Sequence, residues 1–243
     1  MSNTNDRRLA VETREDWERV LTAAAHLQQI IPDAVLVGGS AAAVHADHRF
    51  SYDDDHVVVN LKDRYEQVLT KLENQAGWVT NRLKPPLMIL GDLDGVETGI
   101  RNLIRREPLQ TVNYQTPAGL ITLPTIYEMA RIKAFLIVSR NATRDFIDFV
   151  ALSDKIERHE GVVGLTQALS SLDRIYPQSN GASVLLQLAK QLSEPKPKDI
   201  GSGDLSVYRL IDQKWNSWQT VNEAGQRFGV VILHNFKNPP SQP

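Results

Sequence analysis

The chain contains no cysteine. That absence excludes a disulfide framework and any thiolate-held metal centre, and it fits a reducing compartment. Long apolar runs are missing as well; no stretch reaches the roughly 18 residues that a membrane-spanning helix needs. The opening residues, MSNTNDRRLAVETRED, hold no apolar segment of the signal-peptide kind. The expectation is a cytoplasmic protein with no membrane partner. An excess of one charge is also lacking: 27 Lys and Arg stand against 29 Asp and Glu, for a net charge of −2. No global basic field draws such a protein onto nucleic acid, which leaves only a local patch for that purpose.

What is present is concentrated in one stretch, Ala34 to Leu61. It opens with the apolar run Val35, Leu36 and Val37, breaks at Gly38-Gly39, and continues through Ser40 into a small-residue helical segment, Ala41 to Ala46. The pair His48-Arg49 then leads into Ser51-x-Asp53-x-Asp55, and Val57 to Val59 closes the unit as a second strand. Glycine has no Cβ, so the backbone at Gly38 and Gly39 can turn sharply and approach a ligand closely. Ser40 falls at a helix N-terminus, where free N–H groups and the helix dipole favour an anion. Asp53 and Asp55 are two residues apart, so in extended chain both carboxylates face one way and Asp54 the other. Two hard oxygen donors on one face suit Mg²⁺ or Mn²⁺, whose remaining positions go to water and substrate phosphate.

The remaining chain reads as helices and short strands. Asp16 to Ile31 and Asp63 to Gln75 have apolar positions at helical spacing. Thr13 is a fair cap for the first helix and Pro32 a stop. Trp78–Leu83, Leu87–Leu90 and Val96–Leu103 read as strands, with Gly91 to Gly95 as a turn. Glu97 on the last of these is the candidate third carboxylate, with Asp92 and Asp94 as runners-up. Arg101, Arg105 and Arg106 form a basic cluster that would suit a polyanionic second substrate. Leu109–Tyr114 and Leu120–Leu123 are further strands, and Pro124 suits the first turn of the next helix. There Ile126, Met129, Ala130, Lys133 and Ile137 share a face, which puts a lysine in an apolar stripe and demands a partner for it. A helix after Arg140-Asn141 carries Arg144, Asp145 and Asp148 on its first turns, with Arg144 and Asp148 spaced as an i,i+4 pair. Beyond Gly161 come helices at Val162–Tyr176 and Ala182–Leu192 and a Pro/Gly/Ser-rich linker near 193–204. The spacing of Tyr208, Leu210, Trp215, Trp218, Val221, Phe228 and Val230 predicts a helix–helix core.

A Gly-Gly turn followed by Asp-x-Asp between two strands resembles the signature of the nucleotidyltransferase superfamily. The flanking His48-Arg49-x-Ser51-x-Asp53-x-Asp55, with Lys133 and Arg144-Asp145-x-x-Asp148 downstream, is similar to the AbiEii/AbiGii toxin family. The resemblance covers roughly residues 34–156. It implies an α+β protein: a nucleotidyltransferase-type mixed sheet with flanking helices over residues 1–122, then a helical C-terminal domain over 123–243. By the same resemblance, a Mg²⁺- or Mn²⁺-dependent enzyme would move a nucleotide from an NTP to an acceptor such as tRNA or another RNA. Asp53, Asp55 and Glu97 would hold metal. Gly38, Gly39, Ser40, Arg49, Ser51 and Lys133 would face the nucleotide, and Asp145 or Asp148 would position base or acceptor. The family would further imply a toxin with a cognate antitoxin partner. A pseudoenzyme or regulatory partner protein that keeps the fold without turnover is the rival reading.

Overall fold

A computed structural model of the chain describes residues 3–201, 203–208 and 212–237. Backbone contacts divide it into two interleaved units: Met1–Ala41 with Phe50–Arg106 and Gln110–Pro124, and Ala42–Arg49 with Glu107–Leu109 and Thr125–Pro243.

The first unit is built on a sheet of five strands: β1 (Val35–Leu36), β2 (Asp54–Val58), β3 (Trp78–Lys84), β4 (Met88–Leu93) and β5 (Val96–Asn102). Their spatial order is β1-β2-β5-β4-β3. β2 and β5 run parallel, and every other pairing is antiparallel. A parallel pair cannot be closed by a hairpin, so the chain between β2 and β5 is a crossover carrying α3 (Tyr65–Glu73). α3 buries Tyr65, Val68, Leu69 and Leu72, one stripe at helical spacing. These side chains join Leu27, Ile31, Val58, Leu61, Trp78, Ile89, Leu93 and Ile100 in a continuous core. Leu27 belongs to α1 (Asn3–Ile30), longer than the segment expected from Asp16, so Thr13 lies inside the helix and does not cap it. A second sheet, the hairpin β6 (Thr111–Thr116) and β7 (Gly119–Pro124), completes the unit. The turn expected over Gly91 to Gly95 shrinks to Asp94-Gly95, because β4 continues to Leu93 and pairs with Val96. Both turn residues have positive φ, 54° and 81°.

The second unit is helical: α4 (Ile126–Arg140), α5 (Thr143–Leu169), α6 (Leu172–Ile175), α7 (Val184–Ser193) and α8 (Trp218–Lys237). Pro124 ends β7, and Thr125 caps α4 by accepting from the Glu128 N–H. The helix ends at Asn141, whose left-handed conformation (φ 55°) stops propagation. α5 is bent at Gly161, where φ is +68°. Phe149 meets Phe228 edge-on at 6.3 Å and Phe146 meets Trp218 at 5.9 Å, so the C-terminal aromatics form a helix–helix core. Leu210 lies outside the described residues, and Val230 is exposed.

Ile100 is fully buried on the central strand β5. Replacing it by alanine is expected to lower the unfolding free energy by about 2–5 kcal/mol, the range for large-to-small core changes, with an unchanged urea m-value. Equilibrium urea denaturation measures both.

Candidate active site

The acidic face of the first unit is built from the junction of two elements. α2 (Gly38–Ala46) begins immediately after β1, and Gly38 adopts φ +72°, the left-handed turn that needs glycine. The Val37 N–H donates to the Asp55 carbonyl at 2.8 Å, and the Ser40 hydroxyl donates to the Asp53 carbonyl at 2.6 Å. Ser40, expected to cradle phosphate, is completely buried and spends its proton on the backbone that carries the acids. It braces the turn.

Parallel pairing sets Asp55 beside Gly99, and alternation puts Glu97, Gly99 and Arg101 on the face of Asp55. The Asp55 carboxylate fits between two glycines. A Cβ at Gly99 would lie 2.6 Å from its Oδ1, and one at Gly38 would lie 3.3 Å from its Oδ2. Either methyl would push the carboxylate aside. Arg101 Nη2 is 3.5 Å from Asp55 Oδ1. Asp53 and Glu97 are exposed and Asp55 is half-buried. Among the described residues, no three His, Asp or Glu side chains gather closely enough to hold a metal ion. Two carboxylates are nevertheless a sufficient protein share for Mg²⁺. The purely oxygen donor set fits a hard divalent cation.

The runners-up have other work. Asp92 Oδ1 accepts from the Gly95 N–H across the hairpin turn, and Asp94 Oδ2 lies 2.6 Å from His26 Nδ1. Asp54 points into the sheet interior, where burial, and then the charge of Asp55, push its carboxyl well above the ordinary range. His56 lies beside it, Nδ1 to Oδ1 at 3.3 Å. Burial lowers His56 to about 3, against the bond to Asp54 that would raise it. Gln28 reaches His56 Nε2 at 3.3 Å and clasps both backbone groups of Thr122 on β7, at 2.8 and 2.7 Å. Nothing in the sequence spacing marks Gln28, which lies 28 residues from His56 and 94 from Thr122.

The second unit contains a buried charge network centred on Asp148. His48 Nε2 lies 2.8 Å from Asp148 Oδ1, Arg49 Nε donates to the same oxygen at 2.7 Å, and Arg49 Nη2 reaches Oδ2 at 3.1 Å. Lys133 Nζ is 2.7 Å from Asp148 Oδ2 and 3.5 Å from Asp145 Oδ1. Arg140 grips Asp145 through Nη2–Oδ1 at 2.7 Å. Lys133 is 1% exposed and both aspartates are fully buried. The lysine on the apolar stripe is therefore neutralised by aspartates, and its ammonium is not open to a triphosphate. Arg144, expected to pair with Asp148, is exposed. Ser51 is buried. Burial would raise the Asp148 carboxyl, but Arg49 and Lys133, with hydrogen bonds from His48 and Arg49, hold it well below 3.8. Burial likewise lowers His48 below 6.5, ahead of the opposing pull of Asp148.

No family model matches the chain, so the AbiEii/AbiGii assignment gains no support from that side. MenT4, a nucleotidyltransferase toxin from Mycobacterium tuberculosis H37Rv, superposes with a TM-score of 0.52 over 89% of this chain and 82% of its own, at 13% identity. The fold is nucleotidyltransferase-like. An antigenic nucleotidyltransferase-like protein from Paracoccidioides brasiliensis matches 66% of this chain at TM-score 0.43 and 13% identity. In sequence, the chain is 37% identical over 136 residues to the mycolic acid-containing lipids exporter MmpL11 of Mycolicibacterium smegmatis. It is 29% identical over 223 residues to the heme uptake protein MmpL11 of Mycobacterium tuberculosis. These alignments cover 55% and 85% of this chain but only 13% and 22% of the transport proteins. Among the described residues no helix is long and apolar enough to cross a membrane.

Removing one partner from a buried ion network strands the others. Lys133→Met is expected to destabilise the protein by about 3–5 kcal/mol in chemical denaturation. A second expectation concerns pH. His48 takes up a proton at a lower pH folded than unfolded, so the unfolded state binds more protons below 6.5 and stability falls as pH drops through that value. Asp148 contributes stability above 3.8 that is lost on further acidification towards its depressed folded value. Unfolding free energy measured from neutral pH downward should fall continuously, and His48→Gln should flatten the upper part of that fall.

Proposed function

We propose that this chain is a metal-dependent nucleotidyltransferase, transferring a nucleoside monophosphate from an NTP to an acceptor hydroxyl on tRNA or another RNA. We propose further that it acts in the cytoplasm as a toxin restrained by a cognate antitoxin. The observation that carries the reading is the Asp55 carboxylate, held between Gly38 and Gly99 at the mouth of a glycine turn, in a nucleotidyltransferase-like fold.

In this reading Asp53 and Asp55, with Glu97 on the same face, hold Mg²⁺ or Mn²⁺, which supplies neutralisation of the triphosphate charge and a lowered pKa for the acceptor hydroxyl. The backbone at Gly38 and Gly39 admits the phosphates closely, and the free N–H groups of the first turn of α2 donate to them. The Ser40 bond to the Asp53 carbonyl fixes this turn relative to the acids before substrate arrives. Asp54 turns to the buried side of the strand, so its carboxyl lies on the face away from the two ligands. Arg49, Lys133, Asp145 and Asp148 contribute as positioning groups: the buried network orders the Ala42–Arg49 segment that connects the glycine turn to Asp53. The acceptor oxygen attacks the α-phosphorus, and the bond to the departing pyrophosphate breaks.

The lack of a gathered three-acid group among the described residues favours one second reading, a nucleotide-binding pseudoenzyme or regulatory partner protein. Incubation of the chain with each labelled NTP, Mg²⁺ and total RNA separates the two. Label is expected in RNA, to disappear with EDTA, and to fall by at least about a thousandfold in Asp53→Asn and Asp55→Asn, as expected when groups essential to charge stabilisation are removed. Both variants should melt within a few degrees of the wild type. Metal-dependent NTP binding without transfer to any RNA would establish the pseudoenzyme instead.

A further inference from the structure

Of the three arginines that follow β5's acidic end, one has a different setting from the others. Arg105 is buried, and Arg106 is exposed in the loop beyond the strand. Arg101 is within β5, two residues after Gly99, and alternation puts it on the face of Asp55. Its side chain is 46% exposed. One guanidinium nitrogen, Nη2, lies 3.5 Å from Asp55 Oδ1, while Nη1 lies 2.8 Å from the Met88 sulfur on β4. One prong of the guanidinium therefore donates to a thioether sulfur, a weak acceptor, and the other makes one long contact to the carboxylate.

Such a contact is weak. A half-exposed pair at 3.5 Å, without the two-pronged geometry of a strong arginine–carboxylate bond, contributes little. It is easily exchanged for a better anion. The neighbouring positions on this face make that exchange useful: Gly99 has no side chain to offer, so the place beside Asp55 on β5 carries no acid. The positive charge of Arg101 stands there instead. Building on the nucleotidyltransferase reading of the same site, we infer that Arg101 is a triphosphate-binding residue. It rests against Asp55 when the site is empty and turns its fork to phosphate oxygens when the metal-bound nucleotide arrives. A triphosphate offers several oxygens matched to that fork, and the divalent cation replaces the arginine as the counter-charge of Asp55.

This arrangement makes Arg101 a competitor of the metal and a helper of the nucleotide, two effects of opposite sign that a purely structural arginine would not produce. The test uses the full-length chain, with Mn²⁺ titrated by electron paramagnetic resonance and fluorescent NTP analogues titrated by anisotropy in the presence of Mn²⁺. In Arg101→Gln, NTP affinity is expected to weaken by roughly tenfold or more, as for a lost charge-assisted hydrogen bond. Mn²⁺ alone should bind no more weakly than to wild type, and about two- to fivefold more tightly as a like charge is removed. Arg101→Lys should recover part of the nucleotide affinity. Unchanged NTP binding in Arg101→Gln, or parallel loss of Mn²⁺ and NTP binding, overturns the inference while leaving the nucleotidyltransferase reading standing. Failure of the wild-type chain to bind any NTP with Mn²⁺ overturns the nucleotidyltransferase reading itself, and the inference with it.

Discussion

The parallel pairing of β2 with β5 governs the first unit, because every feature of the acidic site is expressed relative to it. Parallel neighbours present partnered residues on the same face, so the register that sets Asp55 beside Gly99 also decides what stands on either side. One residue of slip would bring Thr98 or Ile100 to the site and turn Arg101 inward. The register is anchored from below by apolar and polar means at once. Val58 and Ile100 pack into the core, while Asp54 and His56 engage Thr98, Gln28 and through Gln28 the β7 backbone. Buried polar groups under the acidic face are costly, and the bonds from Thr98 and Gln28 offset part of that cost only in the observed register.

The second unit solves a related problem with full charges. Asp148 without partners would be an expensive buried ion; with Arg49, Lys133 and His48 around it, it is the node from which two segments of chain far apart in sequence are aligned. Such a network tolerates little error: each member is buried at the expense of its hydration, and removing one leaves the others uncompensated.

Much of this was legible in the residues. The glycine turn at Gly38, the apolar stripe that places Lys133, and the burial of Trp215, Val221 and Phe228 all follow from local sequence patterns. Local patterns could not say what Lys133 meets. A lysine on an apolar face needs an anion, and both a triphosphate and Asp148 answer that description. Nor could they reveal the bracing bond of Ser40, since its partner is a main-chain carbonyl 13 residues away. Gln28 was invisible for the same reason: amide side chains carry no periodic signature, and its partners are brought to it only by the fold. The boundary between Pro124 and Thr125 shows a smaller version of this, where proline and threonine are both good helix-start residues and the strand pairing of Pro124 with Thr111 decides between them.

Ala42–Arg49 leaves the first unit and returns to it before Asp53, carrying two of the partners of Asp148 as it goes. Neither unit is a contiguous length of gene. A cut after Pro124 would leave the helical half with a buried aspartate stripped of its arginine and histidine, and the sheet half with a dangling helix. No single cut between Arg49 and Thr125 leaves the Asp148 network whole. A substitution in the segment before the acids is therefore felt by the helix that carries Asp148.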